Sequence, residues 1–147
     1  MVPFKVRVMG LEQIRTKFLR LPNKMAQAVA QALYQEGEEL LAESKTKYVP
    51  VDRGHLRTSG HATLPRRLGT IVFVDVGYGG PAAPYALRVH ENPRAGKTGG
   101  VSPSGRPYTH WAKVGEWKYL ETPFKKRERG MRSRIQSRIR FYMERRR

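Results

Sequence analysis

The stretch Val49-Pro50-Val51-Asp52-Arg53-Gly54-His55-Leu56-Arg57-Thr58-Ser59 decides how everything around it is read. Pro50 cannot continue a helix, and it holds Val49 in an extended conformation. Asp52 carries a short carboxylate able to accept backbone N–H groups and close a tight turn. Gly54 suits the positive-φ position such a turn needs. Leu56, Arg57, Thr58 and Ser59 then read as the opening of a strand. The stretch ends a helix, makes a corner and launches a sheet, and by itself it names no function.

Upstream, Phe4, Val6 and Val8 alternate with Lys5 and Arg7, the period of a strand with its apolar side on a core. Gly10 stops it. Leu11, Ile14 and Phe18 recur at helical spacing and predict a short first helix ending before Pro22. Pro22 suits the first position of a second helix. Its apolar face is Met25, Val29, Ala32, Leu33, Leu40 and Leu41, running to about Lys45. Gly37 in its interior costs about 1 kcal/mol relative to Ala, which implies close approach by another backbone such as a crossing strand. Glu36, Glu38, Glu39 and Glu43 make this helix the acidic surface of the chain, suited to the basic surface of an adjacent copy.

Downstream, Leu56–Leu64 reads as a strand and 65–69 as a turn. Residues 70–77 (TIVFVDVG) are β-branched and nearly continuously apolar, which predicts a central strand covered on both faces and joined to the preceding one as an antiparallel hairpin. Residues 84–91 follow as a short helix or a further strand. Asn92 to Tyr108 is rich in Gly and Pro and lacks periodicity, the mark of a long functional arm or a disordered segment. Trp111–Tyr119 restores aromatics and predicts a last strand. Thr122 and Pro123 suit the N-cap and first position of a final helix, whose narrow apolar stripe is Phe124, Met131, Ile135, Ile139 and Tyr142. That stripe needs the second helix to pack on. The expectation is an α+β fold: an antiparallel sheet of about four strands packed against a long helix and a C-terminal helix, with a long Gly/Pro-rich loop. Residues 1–124 form the core domain, with the extended arm at 92–110, and 125–147 form a basic C-terminal helix packing on it.

The chain has 147 residues, 29 Lys+Arg against 12 Asp+Glu, and a net charge of +17. Residues 125–147 alone hold 11 positive and 2 negative side chains, more than half of the excess. Such a field attracts polyanions: nucleic acid, anionic lipid or an acidic protein surface. With no cysteine, disulfides, thiolate catalysis and Cys-ligated zinc are excluded. No apolar run approaches the roughly 20 residues of a membrane span. Residues 1–10 lack the apolar region of a signal peptide, so a soluble chain made in the cytoplasm is expected.

His55, His61, His90 and His110 are scattered without metal-binding spacing. Gly96-Lys97-Thr98 resembles the end of a phosphate-binding loop, but the glycine needed five residues earlier is Glu91. Asp75 reads as a strand-end turn residue more readily than as a catalytic acid. No nucleophile, base and oxyanion site assemble, and neither a catalytic role nor any cofactor or metal is expected. Arginines of the final helix would contact phosphates without reading bases.

Four segments in order carry a resemblance. "VPVDRGHLRTS" after an amphipathic helix resembles the "VPVdTGxLRxS" signature of the tailed-bacteriophage head–tail joining family, small neck and tail-completion proteins. "VRVMGLEQIRTKFLRLP" is similar to that family's opening, "APYALRVHE" to its "YAxxvEfG" segment, and "KYLETPFKK" to its "pFlrPAl" lead into the last helix. Arg53 stands where the family has threonine, and the glycine after Glu91 is missing. The motif positions are Pro50, Asp52, Gly54, Leu56 and Arg57. The resemblance implies a non-catalytic structural protein of the virion neck, assembled in the host cytoplasm. It implies a homo-oligomeric, sixfold ring between a head-closure or adaptor protein and a tail terminator or tail tube protein, with packaged DNA passing through the lumen during ejection. Arg132, Arg134, Arg138 and Arg140 are then the DNA-facing candidates, and Glu36, Glu39, Glu43, Arg94, Lys97 and Arg106 the subunit-contact candidates. Two rival readings remain: a stand-alone non-specific nucleic-acid-binding module, and a small nuclease using His90 and Glu91.

Overall fold

The computed structural model describes residues 4–9, 23–69, 71–96, 100–101, 104–108 and 115–145, with the backbone alone for 4–9, 100–101 and 107–108. The short helix expected around Leu11, Ile14 and Phe18 lies outside the described residues. Strand β1 is Phe4–Met9. Helix α1 is Asn23–Glu43, continued by a wider π-helical turn over Ser44–Tyr48. Pro50 then ends it as expected, with Val49 extended.

The corner differs from its reading. Gly54 does take a left-handed conformation, φ 84°, but it launches a one-and-a-half-turn helix, α2 (His55–Ser59), not a strand. The Thr58 N–H and hydroxyl both donate back to the Gly54 carbonyl, and the Ser59 hydroxyl donates to the Leu56 carbonyl at 2.7 Å. These back-bonds close a helical turn that β-branched composition does not announce. Leu56, the one buried residue of α2, anchors the turn in the core. Strand pairing starts only at β2 (His61–Ala62), and β3 (Arg66–Leu68) occupies the run expected to be a turn. The hairpin is tighter than read, turning between β3 and β4 (Ile71–Tyr78) with Gly69 at φ 59°.

β4 is the centre of one antiparallel sheet. β1 lies along one edge, with Phe4, Val6 and Val8 opposite Tyr78, Val76 and Val74. β2 and β3 lie one after the other along its second edge, so the sheet is three strands across. Val74 to Tyr78 are buried without a break, which is why this segment reads as nearly continuously apolar apart from Asp75. A Cβ on Gly37 would stand 3.1 Å from a Val74 methyl and 3.2 Å from a Val76 methyl. The glycine in α1 is therefore where the helix crosses β4.

Helix α3 (Ala86–His90) settles the helix-or-strand alternative for 84–91. β5 (Gly100–Val101) and β6 (Pro107–Tyr108) form a two-stranded ribbon in the arm. At the base of the arm Ala95 and Gly96 are buried, and Gly96 bridges Glu116. Of the last strand expected at Trp111–Tyr119, residues 111–114 lie outside the described residues, and beyond that bridge residues 117–120 form a turn.

Helix α4 runs Glu121–Glu144, two residues earlier than Pro123 suggests. Thr122 is not its N-cap: its N–H already donates to the Lys118 carbonyl at 2.8 Å. The apolar stripe lies as expected, Met131 and Ile135 buried, with Phe124, Ile139 and Tyr142 packed against the same core. α1 is thus held between the sheet on one side and α4 on the other. No described helix is long and apolar enough to cross a membrane.

Candidate functional site

Two places gather side chains beyond what apolar packing requires. The first lies where α1, α3, the corner and the lead into α4 meet. The Tyr78 hydroxyl donates to Ser44 Oγ at 2.8 Å, Ser44 Oγ donates to the Tyr119 carbonyl at 2.7 Å, and the Tyr119 hydroxyl donates to the Ala86 carbonyl at 2.8 Å. The Tyr119 ring meets Tyr78 and His90 edge-on, with centroids 5.0 and 4.9 Å away. Backbone bonds join the same segments: Glu116 N–H to the Tyr48 carbonyl and Lys118 N–H to the His90 carbonyl, both 2.8 Å. Burial pushes both phenols up, so they stay protonated donors.

His90 is 1% exposed beneath Tyr119, its Nδ1 2.7 Å from Glu91 Oε1. Burial lowers its pKa more than the hydrogen bond to Glu91 raises it, so the ring is neutral near pH 7. Glu91 also receives Lys118, whose ammonium reaches Glu121 at 3.0 Å. Hydrogen bonds from Lys125 and Lys118 hold Glu121 at about 2. This surface cluster ties α3 to the start of α4. The His90 imidazole is thus buried beneath Tyr119, while the Glu91 carboxylate beside it is exposed.

Pro50, Asp52, Gly54, Leu56, Tyr85 and Val89 line a cavity of about 10 Å³, room for one water. Asp52 is exposed, and its carboxylate accepts the Ser104 hydroxyl of the arm at 3.4 Å. Arg57 is exposed. Asp75, read as a strand-end residue, sits within β4, buried and paired with Arg66 of β3.

The second place is the seam between α1 and α4. Glu36, 2% exposed, receives three guanidinium groups: Arg127 at 3.0 Å, Arg134 at 2.5 Å and Arg138 at 2.7 Å. Arg127 also reaches Glu39 at 2.8 Å and Glu43 at 3.4 Å, and Arg138 reaches Glu39 at 2.6 Å. Burial pushes the Glu36 carboxyl up, but the Arg134 hydrogen bond and the Arg127 and Arg134 charges together outweigh it, leaving it below 4.5.

Five of the candidate residues thereby have partners within the chain. Glu36, Glu39 and Glu43 meet the chain's own C-terminal helix. Arg134 and Arg138, expected to face DNA, turn inward to the same carboxylates. The other two candidates, Arg132 and Arg140, are exposed on the outer side of α4. Arg94 and Arg106 are exposed in the arm, and Lys97 lies outside the described residues. Arg127 escaped the sequence reading. The signal was there: Arg127, Arg134 and Arg138 repeat at seven and four, in phase with Glu36, Glu39 and Glu43 at three and four.

Comparison with protein-family models, curated proteins and solved structures returns no match.

Proposed function

We propose that the protein is a structural component of a tailed-phage neck, forming a ring that joins head to tail and lets DNA pass, without catalysis. The observation that carries this reading is the meeting of resemblance-bearing segments. "VPVDRGHLRTS", "APYALRVHE" and "KYLETPFKK" are far apart in sequence, yet all touch one buried cluster. Pro50, Gly54 and Leu56 line one cavity with Tyr85 and Val89, Tyr119 bonds Ala86, and Lys118 bonds both His90 and Glu91. In this reading the partners are further copies of the chain, sixfold, together with a head-closure protein and a tail terminator or tube protein, in the virion.

Sedimentation of the purified chain, with mass spectrometry of purified particles, tests it. The expected result is a closed oligomer and a stoichiometric component of the particle. A monomer at every concentration, absent from particles, would sink the reading. The second reading, a stand-alone nucleic-acid-binding module, is favoured by the exposed arginines on α4, and it requires tight duplex binding by the monomer.

A further inference from the structure

Strand β3 pairs with β4 alone, and all three of its residues, Arg66 to Leu68, are exposed. The Thr63 N–H donates to the Asp75 carbonyl at 2.8 Å, so Asp75, Phe73 and Ile71 turn their main-chain groups to this side of β4. Arg66 and Leu68 stand opposite Phe73 and Ile71 and take those bonds. Arg67, opposite Val72, therefore turns its own N–H and C=O to solvent. Leu64 and Pro65 together face Val74, a bulge between β2 and β3. Leu64 at 73% exposed and Leu68 at 71% bracket this edge, the highest values among the described large hydrophobics. Arg66 is committed within the chain: it pairs with buried Asp75 and lies 5.0 Å from the Phe73 ring centre. Arg67 is not. Its Nε donates to the Gly69 carbonyl at 2.8 Å, a neutral group, and among the described residues no carboxylate meets it.

We propose that the outer edge of β3 receives an extended segment of another protein as an added strand, one whose residues alternate between apolar and acidic. An open edge is a template for such pairing, and the Arg67 N–H and C=O supply the main-chain bonds. The alternation follows from the pleat. Leu68 lies on the face away from α1, with Ile71 and Phe73 half-buried beside it, and Arg67 lies on the other face. An incoming strand sets apolar side chains on the first face and a carboxylate on the second, where a cross-strand ion pair forms. A short strand, a bulge and a cation keep an edge from pairing with its own twin, whereas exposed leucines invite cover. Antiparallel pairing of two copies centred on this strand sets Arg67 against Arg67, which charge disfavours. Nucleic acid would answer Arg67 but leave both leucines in water.

The inference goes beyond the neck reading and does not rest on it; Leu87, Trp117 and Phe141 remain for contacts between copies. Its test is selection from a random peptide library on the full-length chain, followed by fluorescence anisotropy of the best binder, synthesised and labelled. The enriched peptides are expected to alternate apolar residues with Asp or Glu. Arg67→Pro removes the outward N–H at a position where an edge strand tolerates proline, and should weaken binding about tenfold or more. Arg67→Glu turns the cross-strand attraction into repulsion and should cost about tenfold. Arg88→Glu, the same charge change on α3, should leave binding within about twofold. The same peptide N-methylated at alternate residues keeps its side chains and should lose binding. Thermal melting verifies that each variant folds. Enrichment of no peptide, or of basic or non-alternating ones, would overturn the proposal. So would undiminished binding in Arg67→Pro, an equal loss in Arg88→Glu, or undiminished binding of the N-methylated peptide. A dimer of the parent chain that Arg67→Pro abolishes would place a second copy on the edge and overturn it as well. Ring formation without peptide binding defeats this inference alone, and a monomer that binds as expected defeats the ring alone.

Discussion

Glu36 is a carboxylate that an exposed helix would leave in water, and here it is buried under three guanidinium groups. Taking it out of water is costly, and the charged hydrogen bonds return that cost only while all partners stay in place. Glu36→Gln removes the one buried acid that Arg127, Arg134 and Arg138 share, leaving Arg127 and Arg138 on Glu39 and taking from Arg134 the carboxylate it pairs with. We expect it to destabilise the fold by about 3 kcal/mol, read as a lower urea midpoint at unchanged slope. Glu39→Gln, at a carboxylate 39% exposed, is expected to cost under about 1 kcal/mol. The pH dependence follows from the direction of the shifts. Glu36 and Glu39 both lie below 4.5 in the folded chain. The unfolded state therefore binds protons first as pH falls, and the stability these groups contribute is complete above about 4.5 and drains away below it. Urea midpoints measured downward from pH 6 should fall through that window, and more gently in Glu36→Gln. Equal slopes in the two proteins would remove Glu36 from the acid response.

Among the elements, the most legible were those whose period matched their surroundings. α1, β4 and α4 each have an apolar pattern that persists over several turns or a full strand, and each stands close to its expected place. Gly37 was legible for the same reason: a costly residue inside a good helix marks a close neighbour. A methyl there must shift two valine methyls by a few tenths of an ångström while regaining about 1 kcal/mol of helix propensity. Gly37→Ala is thus expected to stay within about 1 kcal/mol of the parent, and Gly37→Leu to lose about 1–3 kcal/mol by forcing α1 off β4. A Leu variant as stable as the parent in thermal melts would mean that helix and sheet are not in contact at this point. What stayed hidden were elements of five residues or fewer. α2 and β3 are too short to express a period, and side-chain back-bonds and pairing with β4 decide them. The Arg–Glu seam was hidden for a different reason. Each helix reads alone as a solvated charged face, and only their juxtaposition makes them partners.

At the scale of the whole molecule, that seam redirects how copies of the chain can associate. Its three acids cancel three arginines within one chain, so the net +17 is carried entirely by other side chains. Glu36, Glu39 and Glu43 are engaged by arginines of their own chain. Two copies brought together carry like net charge, so in the ring reading apolar surface is expected to drive the contact between them. Exposed leucines and aromatics supply it: Leu64, Leu68, Leu87, Trp117 and Phe141 are each at least 40% exposed. Repulsion is screened by salt while apolar burial is not, and the screening length shrinks from about 10 Å at 0.1 M to about 3 Å at 1 M. In the ring reading proposed above, association is therefore expected to strengthen as salt rises over that range. Sedimentation velocity across a salt series reads the effect. If the oligomer instead dissolves as salt rises, the contact is made of opposite charges, and the acidic residues that make it must be sought outside the α1–α4 seam.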